Sequence, residues 1–231
     1  MKDKNFVIRT LVTIVLAVVA ISSLIILNGL IFKVLIIAFL VVAGIELLSF
    51  LKKKRTPLNI ALLCLEMVFL IGCGVFALST GLYYYIYVIL GVPGYDIFAY
   101  LFGKAFGGKV FKKSRPFPRI SKNKTWEGTL LGLAMSMALV VILLVTCDAP
   151  FHDYIFLLSG PLALIGDLFE SWLKRKFDIK DSNEIVIKNP VFKRIEYVVG
   201  GSNGHGGFLD RIDSVAVATT ILYILMKWLL F

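Results

Sequence analysis

Apolar residues gather into seven runs, at 10–28, 30–50, 58–79, 82–102, 128–147, 151–169 and 208–230. Each is close to the ~20 residues that a helix needs to cross ~30 Å of hydrocarbon. The pattern predicts an all-α, polytopic integral membrane protein of about seven transmembrane helices. The first run exceeds the short apolar core of a cleavable signal peptide and meets the second almost at once, so it is expected to stay in the mature chain. The fourth run is interrupted by Gly91, Pro93, Gly94 and Asp96. That predicts a broken helix, which a membrane tolerates only where protein or a wet cavity supports the freed backbone.

The polar positions between the runs are strongly basic on alternate sides. Lys2, Lys4 and Arg9 precede the first run, Lys52, Lys53, Lys54 and Arg55 follow the second, eight basic residues lie from Lys104 to Lys124, and seven from Lys174 to Arg194. The opposite turns are short and nearly free of positive charge, and one carries Asp148 and Asp153. Because Lys and Arg favour the cytoplasmic side, the chain is expected to run N-in and C-out. Residues 1–93 form N-terminal membrane helices and 94–231 a catalytic membrane region with two basic cytoplasmic loops, within one integrated domain.

Composition sharpens this picture. Hydrophobic residues make up 58% of the 231, with a mean hydropathy of +0.87, which excludes an ordinary soluble domain. A net charge of +10 suits anionic headgroups, a polyphosphate or nucleic acid. Its confinement to one membrane side favours the first two, and nucleic acid is not expected as a partner. Cys64, Cys73 and Cys147 lie in apolar stretches without the close pairing a zinc site needs, and are expected to be buried packing residues.

Candidate chemistry lies at the helix ends. If the sixth helix continues past the membrane surface, Asp167, Ser171, Lys174, Asp178 and Asp181 fall at spacings of four, three, four and three, on one face. A solvated helix end with locally paired charges is the plain alternative. It does not suit Asp167, because an ionised carboxylate at the end of an apolar span needs a metal, a cation or water beside it. A second cluster, His205-Gly206-Gly207-Phe208-Leu209-Asp210-Arg211-Ile212-Asp213-Ser214, opens the last run, with Asp210, Asp213 and Ser214 on one helical face. These carboxylates, beside Lys174, Arg175, Lys180 and Arg211, are hard oxygen donors of the kind Mg²⁺ takes together with water and phosphate. Before the fifth run, Ser121-Lys122-Asn123-Lys124-Thr125-Trp126-Glu127-Gly128 offers cations and hydroxyls for phosphate oxygens. Upstream, Asp96 stands in Gly94-Tyr95-Asp96, within a stretch that is neither a P-loop nor a dinucleotide fingerprint.

Ser171-Trp172-Leu173-Lys174-Arg175, Lys180-Asp181 and the block from His205 to Ser214 resemble the signature of the phosphatidate cytidylyltransferases, or CDP-diacylglycerol synthases. Asp96 with Ala99-Tyr100 and Gly103, and Ser121-Lys122 with Lys124-Thr125-Trp126-Glu127-Gly128, are similar to two upstream blocks of that family in the same order. Glu46 matches more loosely. The resemblance implies that a lipid phosphate monoester, phosphatidic acid, attacks the α-phosphorus of CTP to give CDP-diacylglycerol and pyrophosphate. It implies Mg²⁺, with room for a second metal ion, held by Asp167 and Asp210 first and by Asp181 and Asp213 next. Lys174, Arg175, Lys180 and Arg211 become phosphate clamps, and His205 joins the catalytic set. Asp96, Ser121, Lys122, Lys124, Thr125, Glu127 and Ser171 become substrate-binding candidates.

The implied setting is the cytoplasmic face of the plasma membrane, with membrane lipids and a second copy of the chain as candidate partners. The rival acceptor is an ether-lipid phosphate of archaeal type; a CTP-using polyprenol kinase lacks support from the His-Gly-Gly block. A transporter would favour midplane charges, of which Glu46, Glu66 and Asp96 are the candidates. Glu66 is left outside the site. One departure stands out: 23 residues, Ser182 to Gly204, separate Asp181 from His205, about sixteen more than the family spacing. The extra stretch from Glu184 to Gly201 suits either an amphipathic flap on headgroups or an exposed hairpin.

Overall fold

The computed structural model describes residues 30–112, 115–179, 182 and 207–230. The elements among them are all helices, with no strand: α1 (Leu30–Ser49), α2 (Pro57–Ser79), α3 (Leu82–Phe106), α4 (Trp126–Thr146), α5 (Ser159–Lys176) and α6 (Leu209–Leu230). Short 3₁₀ turns follow α1 at Phe50–Lys52 and precede α5 at Phe151–Leu158. By length and composition, six segments among the described residues are fit to cross a membrane, the fifth being the 3₁₀ turn and α5 together. The apolar run at 10–28 lies outside the described residues.

Two compact units emerge, one drawn from 1–67 and 179–211, the other from 68–178 and 212–231. In the second, small residues set how closely helices approach. A Cβ on Gly132 would stand 2.8–2.9 Å from the backbone N, the Cα and the Cβ of Ala99, and one on Gly128 would stand 2.8 Å from the Cα of Gly103. The Gly128-x-x-x-Gly132 stripe therefore seats α4 against α3 backbone to backbone, the packing that suits helices in lipid. Gly166 plays the same part between α5 and α6, where an added Cβ would lie 2.8 Å from the Cα of Ser214 and 3.2 Å from the carbonyl oxygen of Asp213.

The fourth apolar run is not a broken helix. α3 continues from Leu82 to Phe106 with Pro93 inside it. Proline removes one donor and crowds the preceding turn, but here the surrounding backbone is packed: Gly91, Val92, Gly94 and Tyr95 are all buried, and the Ser159 side chain occupies the space over Gly91. Packing on both sides of the proline holds the helix, so no cavity is needed to support loosened backbone. The sixth run also differs from a single helix, because its first eight residues form the 3₁₀ turn. α5 then outlasts the apolar run and stops at Lys176. The Phe177 N–H bonds to the carbonyls of Leu173 and Lys174, and Asp178 takes φ of 54°, a left-handed conformation that ends a helix. Asp167, Ser171 and Lys174 thus share α5, Asp178 does not extend their face, and Asp181 lies outside the described residues. The cysteines are free thiols, but only Cys73 is buried; Cys64 and Cys147 are exposed.

In the first unit, α1 carries Phe39, whose ring meets Phe208 edge-on at 4.8 Å, and Gly44, which lies against Met67. The side-chain space of Gly207 is filled by Ser182 and the carboxylate of Glu46, so a larger residue there would displace both.

Candidate functional site

Glu46 is buried, 2% exposed, near the C-terminal end of α1. Its Oε1 accepts the N–H of Phe208 at 3.1 Å, and its Oε2 accepts the N–H of Leu209 at 2.9 Å and the hydroxyl of Ser182 at 2.9 Å. A carboxylate at this point satisfies backbone donors that α6 cannot bond internally and sits at the positive end of the helix dipole. Asp210 closes the same turn from the other direction: its Oδ2 accepts the N–H of Gly207 at 2.7 Å and the N–H of Ser182 at 3.1 Å. The two carboxylates thereby hold Ser182 and Gly207 together at the start of α6. Lys180, Asp181, His205 and Gly206 lie outside the described residues.

The second unit holds the larger charge cluster. Lys124, one residue before the N-cap of α4, forms an ion pair with Asp167 of α5. It also donates to the Tyr95 hydroxyl at 3.4 Å and stands over the Tyr95 ring at 5.3 Å from its centroid. Thr125 is the N-cap itself, its hydroxyl accepting the Gly128 N–H at 3.1 Å. Close packing of Gly128 and Gly132 on Ala99 explains why the start of α4 lands one turn from Tyr95 and Asp96. Burial acts to lower the Lys124 pKa, but the Asp167 carboxylate and the Tyr95 hydroxyl outweigh it and hold the ammonium above the ordinary lysine value.

Three carboxylates share this neighbourhood and differ in access. Asp96 is exposed, the Asp167 side chain is 29% exposed and Asp213 is 6% exposed. Asp96 and Asp167 lie within electrostatic reach of each other, and both lie within reach of Asp213, as does Lys174. The close approach of α5 to α6 at Gly166 puts Asp167 and Asp213 on adjoining turns. Asp213 Oδ1 accepts the N–H of Ser214 at 2.6 Å. Lys174 pairs with Glu170 at 2.6 Å along one face of α5, with Glu170 fully buried.

The remaining candidates divide. Ser171 is half-buried on α5, while Arg175 and Arg211 are exposed at helix ends. Lys122 is exposed and Ser121 half-buried, the latter donating its N–H to the Phe117 carbonyl at 2.8 Å. Glu127 holds backbone in place. Its Oε1 accepts the N–H groups of Val110 and Phe111, both at 3.0 Å, tying the 107–112 turn to the start of α4. Trp126 stands beside Phe111 with ring centroids 6.1 Å apart. Glu66 is fully buried with neither carboxylate oxygen hydrogen-bonded among the described residues.

Three contributors escaped the sequence reading: Tyr95, which seats Lys124; Glu170, which holds Lys174; and Ser182, which joins Glu46 to Asp210. Glu170 sits four residues before Lys174, a spacing that pairs opposite charges on any helix and was the available signal. Tyr95 and Ser182 carry no charge or periodicity that marks them.

Among the described residues, no three His, Cys, Asp or Glu side chains converge on one point able to hold a metal ion. Mg²⁺ needs less than that: one or two carboxylates, with water and phosphate completing its shell. Asp167, with Asp96 and Asp213 within electrostatic reach of it, supplies hard carboxylate oxygens of the kind such an ion takes one or two of.

A sequence model of the cytidylyltransferase family matches residues 68–187. The chain is 34% identical over 197 residues to the phosphatidate cytidylyltransferase of Staphylococcus haemolyticus, covering 81% of this chain and 68% of that protein. It is 35% identical over 186 residues to the Staphylococcus aureus protein of the same name, covering 76% and 63%. It is 38% identical over 135 residues to that of Rickettsia conorii, covering 53% and 51%. The matches thus span from about half to two thirds of the length of these relatives. The family match ends at residue 187, within the stretch between Asp181 and His205 where the spacing departs from the family pattern.

Proposed function

This chain belongs to the cytidylyltransferase family, and on that premise we propose that it transfers CMP from CTP to phosphatidic acid, giving CDP-diacylglycerol and pyrophosphate. The observation that carries this reading is the cluster of Asp96, Asp167 and Asp213 on three helices with Lys124 just before α4, all in the unit that holds most of the family match. Relatives bearing the name phosphatidate cytidylyltransferase support the choice of acceptor.

The reaction joins a phosphate oxygen of the lipid to the α-phosphorus of CTP while the bond to pyrophosphate breaks. Both reactants are anionic, so the main requirement is to neutralise and align charge. When bound, Mg²⁺ would screen the triphosphate and favour departure of pyrophosphate. Asp167 and Asp210 are the leading ligands in this proposal, with Asp181 and Asp213 next and a second metal ion as a further element. Lys124, Lys174, Arg175 and Arg211 would hold phosphate oxygens, while Ser121, Lys122 and Thr125 border the nucleotide. The attacking phosphate is already ionised near neutral pH, so no side chain need act as general base. Glu46, by fixing the start of α6, would hold Asp210 in place.

The reading places seven spans in the membrane, N-in and C-out, with the catalytic region 94–231 facing the cytoplasmic CTP pool at the plasma membrane. Asp167→Asn and Asp210→Asn each remove an anionic oxygen at almost constant volume. Purified in detergent and supplied with CTP, Mg²⁺ and phosphatidic acid, each variant should release pyrophosphate at least about 100-fold more slowly than the parent, the usual scale for loss of a charge-stabilising group. Parent activity in either variant removes that residue from the metal site. Turnover of ether-lipid phosphate in preference to phosphatidic acid would reassign the acceptor.

A further inference from the structure

Lys124 is bound by contacts that leave its role unusual for a phosphate clamp. A cation waiting for a triphosphate would be expected to project toward solvent, yet this side chain is only 18% exposed and its ammonium is paired with Asp167. Tyr95, fully buried, fixes it from behind through its hydroxyl and its ring face. Around the pair lie two more carboxylates, Asp96 and Asp213, within electrostatic reach of Asp167. Three carboxylates brought together from α3, α5 and α6 repel one another when ionised and are costly to desolvate. The Lys124 ammonium offsets part of that cost, and it does so on Asp167, the carboxylate proposed above as a leading metal ligand.

We propose that Lys124 is a resident place-holder: it occupies Asp167 in the resting protein and leaves that carboxylate when a divalent cation arrives, becoming available to the anionic nucleotide. This rests on the proposal that Asp167 is a metal ligand. The physical basis is competition for one acceptor. A carboxylate that saturates a dication at close range presents a much weaker field to a neighbouring ammonium, and the two cations repel. Tyr95 makes the exchange reversible, because its ring and hydroxyl can retain the lysine close by after the ion pair opens. Tyr95 is then a positioning residue, acting only through Lys124.

The inference has a readout independent of turnover. In the full-length protein in detergent, without nucleotide, Mn²⁺ binding can be followed by the loss of its free-ion electron paramagnetic resonance signal. Acylation of Lys124 by an amine-reactive reagent can be followed by peptide mass spectrometry at fixed pH. Lys124→Met should bind Mn²⁺ about tenfold more tightly, as expected when a competing cation is removed. In the parent, saturating Mg²⁺ should raise acylation of Lys124 several-fold, while Lys122, already exposed, should be unchanged. Unchanged Lys124 acylation in protein that demonstrably binds Mn²⁺ overturns the place-holder, even if Lys124→Met binds more tightly, because a charge acting through space would tighten binding without moving. Asp167→Asn separates the two levels of argument. If it abolishes Mn²⁺ binding while Lys124 fails to move, the metal-ligand reading stands and the exchange is wrong; if it binds Mn²⁺ like the parent, both fall.

Discussion

At Gly166 the backbone of α5 meets that of α6 with no space for a side chain, the nearest neighbour to an added Cβ being the Cα of Ser214 at 2.8 Å. An alanine there cannot be accommodated by turning a flexible side chain; one helix has to move. Gly166→Ala should therefore destabilise by roughly 1–3 kcal/mol, the usual scale of overpacking, and should disturb Asp167 and Asp213 on either side of the contact. Gly94 offers the contrast. It too lies inside a helix, but an added Cβ meets nothing within 4 Å, so Gly94→Ala should be neutral or stabilise by up to about 1 kcal/mol through helix propensity. Thermal unfolding of both variants in the same detergent checks the pair; equal losses would show that glycine content, and not helix contact, sets the response.

Among the elements, α6 begins in an unusual way: its start is fastened by carboxylates from two places, Glu46 on α1 and Asp210 on α6 itself. Since Ser182 and Gly207 both donate to Asp210 Oδ2, these two residues are already held together without the chain between them. The entropy of closing a loop changes slowly with its length, by about 0.6 kcal/mol for each doubling. Replacing 184–201 with a short Gly/Ser link should consequently leave the unfolding midpoint in detergent unchanged or slightly raised. A fall of many degrees would mean that the segment itself holds its ends. In the same variant, a raised requirement for lipid phosphate would favour the flap over the passive hairpin. The six described spans were legible in the sequence because each is a long apolar run, and the helical start of α6 because Asp210, Asp213 and Ser214 recur at helical spacing. The continuity of α3 was not, since Pro93 weakens a helix by local chemistry whereas the packing of Gly91 and Tyr95 that restores it is tertiary. Asp167, Lys124 and Asp213 were recognisable as candidates one by one. Their pairing was hidden, because Lys124 and Asp167 are joined through the approach of α3, α4 and α5 and not through any local spacing. Glu46 was harder still: only the folded chain brings it to Phe208 and Leu209.

For the molecule as a whole, the distribution of charge carries the topology. Within the described residues, the loop between α3 and α4 is basic, holding Lys109, Lys112, Arg115, Arg119, Lys122 and Lys124, whereas the turn between α4 and the 3₁₀ segment holds Asp148 and no Lys or Arg. The positive-inside bias acts on short loops of this kind, and the proposed orientation puts the first in the cytoplasm and the second outside. Ser182 would be a poor reporter of side, since it is buried and bonded to Glu46. Arg119 and Asp148 are better, both exposed and neither placed in the candidate site. With Cys64, Cys73 and Cys147 replaced by serine, single Arg119→Cys and Asp148→Cys variants can be treated with a membrane-impermeant maleimide on intact cells and again after permeabilisation. Asp148→Cys should label from outside, and Arg119→Cys only after permeabilisation. The reverse pattern would place Lys124 and Asp167 on the far side of the membrane from the cytosolic CTP supply, and the proposed reaction could not be sustained there. Labelling of both positions from outside would mean that α4 does not cross the bilayer, and the span count would have to be redrawn from that helix onward.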